Sequence, residues 1–487
     1  MKLEALVKGW KVKGSIPQNL EVFSVDERAS SLEQNSLFVA VSGTRNHGLD
    51  FVEEALKRGA AAILSDRVPS KPLPVPVLHY SNPRSLILPM ELRLRNHPEQ
   101  FMKFVGITGT NGKTTTASLV SHVLGPEAAY IGTTHVQVGR KTRPAPYTTP
   151  PSNEIAAILS EAKAAPCSTV VMEVSSHALQ QDRVRGLLFD VGVFLNLQRD
   201  HLDYHRTMAR YFAAKKRLFR QIAPSGRAVV NVSDPYGCRL AASIQHGPIT
   251  FGWNQGSDIY PLDVRSRKKG TDVTLQVPNM ILNIASPLHG DYNVENLMAA
   301  VGILYTLGRD LKADSRTIST FPGARGRLQR VPNELDLDIF VDYAHTPEGI
   351  TKALTAVKKS LGKRIISVLG AGGDRDPGKR VLMGAAAGEM SDIVIITTDN
   401  PRSESPRDIA MELVRGVKRS GQVKVLTILN RSEAIRTAIR MANPGFVVML
   451  LGKGHESYQI VGKKRTPFSD HDEAVRAVQE IAHAVHV

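Results

Sequence analysis

The chain has 487 residues, of which 42% are hydrophobic, and its formal net charge at pH 7 is +16. This length predicts about three domains, each with its own core, and the lack of an apolar run of about 18 residues excludes a helix that spans a bilayer. The basic residues are spread along the chain without a long Lys/Arg block or an RNA-binding aromatic signature, so we assign the charge to attraction of small anionic substrates rather than to nucleic acid.

Residues 1–98 predict a small α/β domain, because short apolar runs such as Ser36–Val41 and Ala60–Leu64 alternate with polar loops. The first segment, Met1–Lys8, carries charge where an export signal has its apolar core. The two cysteines, Cys167 and Cys238, are too few for a disulfide framework and fit a reducing compartment. We therefore expect a cytoplasmic protein without membrane contact.

A glycine-rich loop, Gly106–Thr116, lies between an apolar segment and the helix-forming run Ala117–Leu124. The order strand, loop, helix predicts a phosphate cradle built from backbone N–H groups, with Lys113 as a point charge and Thr114 offering its hydroxyl to Mg²⁺. Its glycines do not follow the common Walker spacing. The residues expected to bind ATP here are Gly109, Thr110, Asn111, Gly112, Lys113, Thr114 and Thr115.

Polar residues follow two apolar runs in the central part of the chain. Thr169–Glu173 ends in a carboxylate, and because ligands bind at strand ends in α/β sheets, Glu173 is a candidate Mg²⁺ ligand; a paired core carboxylate is the alternative. Asp190–Leu197 leads to His201 and His205, four residues apart. We do not assign them to zinc, because no third soft ligand follows at a suitable spacing.

Two further features of the central segment, the threonines of a rigid turn and a lysine, have two interpretations each. Thr148 and Thr149, in the rigid turn Tyr147–Pro151, either bind a polar ligand or cap the next helix. Lys215, on the helical run Met208–Phe219, lies on the core side by its spacing or on a solvated face with Lys216.

Residues 249–285 alternate apolar and polar residues and predict an antiparallel β excursion. The asparagines Asn293 and Asn296 then lie on adjacent turns of a predicted helix, where amides either read an adenine edge or cap the helix. The Gly/Pro-rich run Phe321–Gln329 ends a central domain placed at 99–330 and offers Arg327 to a phosphate. Beyond it, alternating strand and helix signals predict a third domain, 331–487, with a mostly parallel, Rossmann-like sheet.

The glycine loop Gly106-x-x-Gly109-x-x-Gly112-Lys113-Thr114 resembles that of the Mur ligases and of their relatives, the folylpolyglutamate synthetases. These enzymes activate a carboxylate with ATP and join it to an amine. The segments Asp200–Asp203, Ala214–Lys215, Asn293–Asn296 and Asp342–His345 extend the resemblance. It implies an α/β fold of three domains: a small N-terminal domain that binds a UDP-muramyl substrate, a central P-loop ATPase-like domain and a C-terminal amino-acid-binding domain.

The resemblance also assigns residues to roles. The implied catalytic residues are Lys113, Glu173, His201 and Lys215, with two Mg²⁺ ions held by Thr114, Glu173, His201 and a CO₂-derived carbamate on Lys215. Further ATP contacts are implied at Asn293, Asn296, Arg327, Asp342 and His345, and muramyl-peptide contacts at Thr148, Thr149, Ser175, Gln181 and Arg183. Ser175 has a helix cap as its alternative role. Glu27, Tyr292 and Gln329 depart from the residues usual in the family, which are serine, histidine and glutamate.

The segments Gly370–Asp376, Asp399–Arg402 and Gly452–Glu456 resemble the amino-acid pocket of those Mur ligases that add meso-diaminopimelate. A planar cationic fork suits the remote carboxylate of that substrate, and Arg402 and Arg375 offer one, whereas Glu456 suits its remote amine. The residues implied in this pocket are Arg375, Asp399, Asn400, Pro401, Arg402, Gly452 and Glu456.

The implied activity is ATP-dependent ligation of meso-diaminopimelate to UDP-N-acetylmuramoyl-L-alanyl-D-glutamate through an acyl phosphate, in the synthesis of peptidoglycan precursors. We expect a monomer whose partners are these small molecules, ATP and Mg²⁺. A ligase of the same fold that adds L-lysine or acts on folate remains the nearer alternative. A P-loop ATPase that acts on nucleic acid remains the distant one.

Overall fold

The structure is a computed structural model that describes residues 1–43, 46–267, 269–421 and 423–485, without the side chains of residues 484 and 485. The chain forms two compact units. The first consists of Met1–Tyr260 and Met298–Leu311, and the second of Pro261–Leu297 and the chain from Lys312 onward. In the described residues, no helix combines the length and the apolar character needed to cross a bilayer.

The first unit begins with a small parallel sheet of strand order β1-β2-β3-β4. Alternate side chains of β2 and β3 pack against the helix that follows β4, and together they form an apolar core. The elements are α1 (Leu3–Val7), β1 (Ser24–Asp26), β2 (Ser36–Ala40), α2 (Val52–Lys57), β3 (Ala60–Ser65), β4 (Val77–His79) and α3 (Arg84–Leu94).

A larger sheet of order β12-β11-β10-β5-β9-β6-β7-β8 fills the rest of the first unit. It is parallel from β12 to β6, and β7 and β8 add antiparallel strands at one edge. Its elements are β5 (Lys103–Thr108), α4 (Lys113–Leu124), β6 (Ala128–Ile131), β7 (His135–Val138), β8 (Lys141–Pro144), α5 (Ser152–Ala164), β9 (Thr169–Glu173), α6 (Ser176–Gln180), β10 (Phe189–Phe194), α7 (Leu202–His205), α8 (Met208–Lys216), β11 (Ile222–Asn231), α9 (Pro235–Ala241) and β12 (Ile249–Phe251).

The order of this sheet places the candidate residues. Strand β5 lies between β9 and β10, and all three run in the same direction. Their carboxyl ends therefore lie side by side, which is where open α/β sheets bind ligands. The predicted order of strand, glycine loop and helix around Gly109–Gly112 is confirmed by β5 and α4.

The second unit contains a small sheet of order β13-β14-β15 and a larger one of order β16-β17-β21-β18-β19-β20, which is parallel except at β16. The helix α10 begins in this unit and ends in the first. The elements are β13 (Tyr260–Arg267), β14 (Gly270–Val277), β15 (Met280–Ser286), α10 (Asp291–Thr306), α11 (Leu311–Ile318), β16 (Gln329–Arg330), β17 (Asp338–Asp342), α12 (Pro347–Leu361), β18 (Arg364–Leu369), α13 (Gly378–Met390), β19 (Ile393–Ile396), α14 (Pro406–Arg419), β20 (Lys424–Thr427), α15 (Arg431–Met441), β21 (Phe446–Leu451), β22 (Tyr458–Val461), β23 (Lys464–Pro467) and α16 (Asp470–Val485).

These elements confirm the predicted α/β class, the antiparallel excursion after residue 249 and the mostly parallel sheet of the C-terminal part. The domain boundaries after residues 98 and 330 stay predictions.

Candidate active site

The glycine loop leaves β5 at Thr108 and enters α4 at Lys113. Gly112 has φ +87°, a left-handed conformation that glycine adopts without a steric cost, so it can turn the chain into the helix. The loop is tied to the segment after β10, because Thr110 N–H donates to the carbonyl of Asn196 (3.0 Å) and Asn111 N–H to its side-chain oxygen (2.9 Å). The N-terminus of α4 and Lys113 therefore lie together, as the predicted cradle for phosphate groups requires, and phosphate binding there stays a prediction.

Two lysines donate to one carbonyl of this loop. Lys113 Nζ lies 2.9 Å from the carbonyl oxygen of Gly109, and Lys215 Nζ lies 2.8 Å from the same oxygen. Lys215 is 1% exposed, so the structure supports the prediction of the core side over a solvated face. Its pKa is lowered well below the usual value for lysine, first by burial and then by the positive charge of Lys113.

Glu173, at the end of β9, is fully buried and accepts four hydrogen bonds. The donors are Tyr130 Oη (3.0 Å), Thr133 N (2.8 Å), Thr133 Oγ1 (3.0 Å) and Thr114 Oγ1 (3.0 Å). The sequence reasoning found Thr114 and Glu173 but missed Tyr130 and Thr133. The same rule of polar residues at strand ends was the available signal, since Gly132–Thr134 directly follows β6.

A carboxylate and a hydroxyl in contact beside a phosphate cradle are hard oxygen ligands, the set that Mg²⁺ prefers. Glu173 and Thr114 therefore fit this ion, and they lie next to the loop predicted to bind phosphate groups. Gly132 is needed here, because a Cβ at this position would collide with Tyr130 Oη and Glu173 Oε1.

His201 is the residue before α7 and has φ +53°. Burial lowers its pKa, and the charges of Lys113 and Lys215 act in the same direction while Asp200 opposes them. These interactions place it in the same electrostatic environment as the glycine loop. His205, in contrast, is buried and contacts Ser176 Oγ through Nε2 (2.9 Å).

The predicted muramyl-peptide contacts form one hydrogen-bonded group in the first unit. Thr149 Oγ1 donates to the carbonyl of Glu173 (2.7 Å), and Thr148 Oγ1 lies within hydrogen-bond distance of Thr133 Oγ1 (3.1 Å). Arg183 donates to Gln181 Oε1 (2.7 Å) and to the carbonyl of Thr149 (2.8 Å). Neither threonine caps α5, since the residue before that helix is Pro151 and no side chain bonds there.

Ser175 does cap a helix, because its Oγ accepts the N–H of Ala178 at the start of α6. Its hydroxyl also lies 3.4 Å from Thr149 Oγ1. The structure therefore shows the helix-capping role of Ser175, and its contact with the muramyl peptide remains a prediction.

Glu27, which departs from the family pattern, accepts a hydrogen bond from Arg84 Nε (2.6 Å). Its negative charge also acts on Arg183, opposing the lowering of the arginine pKa that burial causes. Glu27 is therefore part of a charged cluster with a predicted substrate contact, and it is not an isolated surface turn.

In the second unit, Asn293 and Asn296 are buried and bonded to each other (Nδ2 of Asn296 to Oδ1 of Asn293, 3.0 Å). Asp342 is also buried and accepts the N–H groups of Leu328 (2.7 Å) and Ala344 (2.8 Å), while burial raises its pKa. The guanidinium of Arg327 lies 4.8 Å from the ring centre of Tyr343.

Two neighbours of this group have local contacts. His345 donates from Nδ1 to the carbonyl of Tyr343 (2.7 Å). Gln329, another departure from the family pattern, accepts the N–H of Gly326 (2.8 Å) and so closes the turn before Arg327.

The loops after β18, β19 and β21 meet at the carboxyl edge of the sheet, as the predicted amino-acid pocket requires. Arg402 Nη1 donates to the carbonyl of Gly373 (2.7 Å), and Gly373 N–H donates to the carbonyl of Asn400 (2.9 Å). Arg402 has φ +51°, in the left-handed region that arginine seldom adopts. Arg375, on the same loop, is exposed.

Glu456 and Asn400 are in direct contact in this pocket, with Asn400 Nδ2 2.7 Å from Glu456 Oε2. Asp399 is buried beside Gly452, where a Cβ would lie 2.8 Å from the aspartate Oδ2, and Pro401 precedes Arg402. The structure therefore brings together the residues of the Asp399–Arg402 and Gly452–Glu456 segments. It adds Lys453, which contacts both Asn400 and Glu456 and which the sequence reasoning did not assign to the pocket.

Known proteins resemble this chain over most of its length. The family model "Mur ligase middle domain" matches residues 107–304, and the model "Mur ligase, glutamate ligase domain" matches residues 326–454. A protein of Trichormus variabilis named UDP-N-acetylmuramoyl-L-alanyl-D-glutamate–2,6-diaminopimelate ligase is 39% identical over 482 residues, which cover 95% of this chain and 97% of that protein.

Solved structures show the same fold. A structure of UDP-N-acetylmuramoyl-L-alanyl-D-glutamate–2,6-diaminopimelate ligase has a TM-score of 0.72 and 29% identity, with 99% of each chain covered. A MurF ligase from Thermotoga maritima in complex with ADP has a TM-score of 0.60 and 18% identity, with 96% of this chain and 98% of that chain covered.

Proposed function

This chain belongs to the Mur ligase family, and we propose that it joins meso-diaminopimelate to UDP-N-acetylmuramoyl-L-alanyl-D-glutamate at the expense of ATP, in peptidoglycan precursor synthesis. The observation that carries the choice of amino acid is the pocket of the second unit, where Arg402 and the Asn400–Glu456 pair lie on the loops that follow β19 and β21. A guanidinium binds a carboxylate through paired hydrogen bonds, and a carboxylate binds an ammonium group. The substrate carries both groups at its remote end.

In the first half of the proposed reaction, a γ-carboxylate oxygen of the glutamyl residue attacks the γ-phosphorus of ATP. The bond from phosphorus to the β,γ-bridging oxygen breaks, and ADP leaves with that electron pair. Gly109–Gly112 and the N-terminus of α4 orient the phosphate groups, and Lys113 offsets their charge. Mg²⁺, held by Thr114, Glu173 and His201, would neutralise charge that develops on the phosphoryl oxygens.

In the second half, the amine of diaminopimelate attacks the acyl carbon of the acyl phosphate. The bond from carbon to the phosphate oxygen breaks, inorganic phosphate leaves with the electron pair, and the nitrogen loses a proton as the amide forms. The pocket in the second unit has the task of orienting this amine, because positioning of two reactants accounts for much of the rate of such a step.

The carbamate on Lys215 is part of the proposal. The burial of this lysine and its lowered pKa both favour the neutral amine, which is the form that reacts with CO₂. The product is an anion beside Lys113, and the positive charge of Lys113 would offset it.

The remaining parts of the proposal concern binding and location. Thr148, Thr149, Ser175, Gln181 and Arg183 hold the muramyl peptide, and Asn293, Asn296, Arg327, Asp342 and His345 contact the nucleotide. The boundaries of the three domains, a monomeric chain and a cytoplasmic location are proposed on the family resemblance of the sequence.

The test is phosphate release from ATP by the purified protein, given the UDP-linked dipeptide, Mg²⁺ and bicarbonate. Reactions with meso-diaminopimelate, with L-lysine and without an amino acid are compared. We expect release with diaminopimelate only. Equal or greater release with lysine would retain the ligase activity and refute the assigned amino acid, and release in none of the three would refute the proposed reaction.

A further inference from the structure

Lys453 is a buried cation within the amino-acid pocket of the second unit. Its side chain has no exposed surface, whereas that of Glu456 is 17% exposed. Nζ of Lys453 lies 3.2 Å from Glu456 Oε2 and 3.4 Å from Asn400 Oδ1. A buried ammonium group is costly unless it is paired, so these contacts determine where Lys453 can lie.

The contacts also determine the orientation of Glu456. Its Oε2 receives hydrogen bonds from Lys453 Nζ and from Asn400 Nδ2, and its backbone N–H bonds to the carbonyl of Lys453. Among the residues that the structure describes, Oε1 receives no hydrogen bond. The Oε2 atom of Glu456 is thus occupied by hydrogen bonds from the protein, and its Oε1 atom can accept a hydrogen bond from a ligand.

Asn400 is held in the same way from its other side. Its Oδ1 accepts the backbone N–H of Ile460 (2.9 Å) in addition to Lys453. The amide cannot rotate without losing both acceptor contacts and its bond to Glu456, and its amide and the carboxylate therefore form one rigid unit.

We propose that Lys453 is the positioning residue for recognition of the remote ammonium group of the amino-acid substrate, acting through Glu456 and Asn400. This inference rests on the proposed function and goes beyond it, because it assigns specificity to a residue that the substrate does not touch. The full burial of Lys453 excludes direct contact with a ligand. Lys453 instead acts by holding Glu456 Oε1 in a single, preorganised position.

The test compares two substrates that differ only in the group concerned. L-2-Aminopimelate has both carboxylates of diaminopimelate but lacks the remote amine. For the wild-type enzyme and for Lys453→Met, kcat/KM is measured with each substrate under saturating ATP and UDP-linked dipeptide. We expect the preference of the wild-type enzyme for diaminopimelate to fall by about tenfold or more in the variant, as is typical for hydrogen bonds to charged groups.

Two further variants separate positioning from general damage. Glu456→Gln should lower the preference as Lys453→Met does, and the double variant should show little additional loss, because both changes remove the same interaction. Lys464→Met, which changes an exposed lysine of β23, should leave the preference unchanged. If Lys453→Met does not fold, Lys453→Arg, which keeps the cation, is measured instead, and a preference close to that of the wild-type enzyme is expected.

An unchanged preference in Lys453→Met, with both rates lowered equally, would overturn the inference and leave the proposed function intact. For Lys453→Arg the overturning result is a preference as low as that of Glu456→Gln. Failure of the wild-type enzyme to use diaminopimelate would instead refute the proposed function itself.

Discussion

Lys215 is a buried lysine of the first unit: the residue is 1% exposed, and its amine shares a carbonyl acceptor with Lys113. If it carries a carbamate, Lys215→Ala should reduce ligase activity by about 100-fold, since an anion that organises the phosphate site is lost. A short-chain carboxylic acid in the assay should partly restore the activity by occupying the space of the side chain.

Lys216→Ala is the matched control, because Lys216 is the next residue and only partly buried. It should retain most of the activity and show no response to the acid. Undiminished turnover in Lys215→Ala would contradict the assigned role.

His289 provides a pH-dependent contribution to stability. It is 5% exposed and packs edge-on against Phe340 at 5.8 Å between ring centres. Burial, assisted by the charge of Arg330, lowers its pKa from 6.5 to about 4. The unfolded chain therefore binds more protons than the folded chain between these pH values, so this contribution is complete above about pH 6.5 and is lost as the pH falls toward 4.

We expect a loss of roughly 3 kcal/mol across that window, an order-of-magnitude value that follows from the size of the shift. His289→Phe should make the melting temperature less sensitive to pH between 7 and 4.5, as measured by calorimetry. His483→Gln, at an exposed histidine on α16, should keep the pH dependence of the wild-type protein. Equal slopes in all three proteins would contradict the assignment.

At the scale of elements, the helices α13 and α14 pack closely through glycines. A Cβ at Gly384 would collide with the carbonyl of Leu413, and a Cβ at Gly416 would collide with that of Val381. Small residues allow two helix backbones to approach in this way, and the larger side chains of both helices fill the adjoining core.

Gly416→Ala should therefore lower the free energy of unfolding by about 1–3 kcal/mol, the range for overpacking of a tight core, even though alanine is the better helix former. Denaturant unfolding followed by circular dichroism measures the change. Met411→Ala, on the exposed side of α14, should change stability much less. A more stable Gly416→Ala protein would show that the helices can separate without loss.

The elements also show how far sequence reasoning extends to the site. Glu173 and the loop at Gly109–Gly112 were predictable, because both follow apolar strand signals directly and each motif is local in the chain. Tyr130 and Thr133, which supply three of the four donors around Glu173, were not, since they approach it only through the pairing of β6 with β9. Fold class and strand positions follow from local patterns, whereas such partners depend on the order of strands in the sheet.

Lys453 illustrates the same limit in the second unit. The segment Gly452–Glu456 identified Glu456 through family resemblance. Nothing in the neighbouring sequence indicates, however, that the lysine of this glycine-rich loop is buried. Its two side-chain partners include Asn400, 53 residues earlier in the chain. Placing Lys453 beside Asn400 required the structure, because the parallel arrangement of β18, β19 and β21 brings the loops that follow these strands together.

At the scale of the whole molecule, the net charge of +16 should strengthen the binding of anionic substrates. ATP and the UDP-linked dipeptide, two of the proposed substrates, carry a net negative charge, and an excess positive field raises their local concentration. Because salt shortens the range of this field to about 8 Å at physiological ionic strength, KM for the UDP-linked dipeptide should rise roughly fivefold between 0.05 and 0.5 M KCl. Sucrose at matched osmolality is the control, and a KM that does not respond to salt would contradict a role for the charge.

The left-handed backbone of Arg402 has a consequence for how such a specificity evolves. An arginine at φ +51° costs about 1 kcal/mol relative to asparagine, which tolerates this conformation, so stability alone would favour replacement of the residue. We expect Arg402→Asn to melt at or above the temperature of the wild-type protein while KM for diaminopimelate rises at least about tenfold. Arg407→Asn, in the first turn of α14, should change neither property in this way. A lineage released from the need to bind the remote carboxylate would then lose this arginine readily, and recovery of the old substrate would have to proceed against the gain in stability.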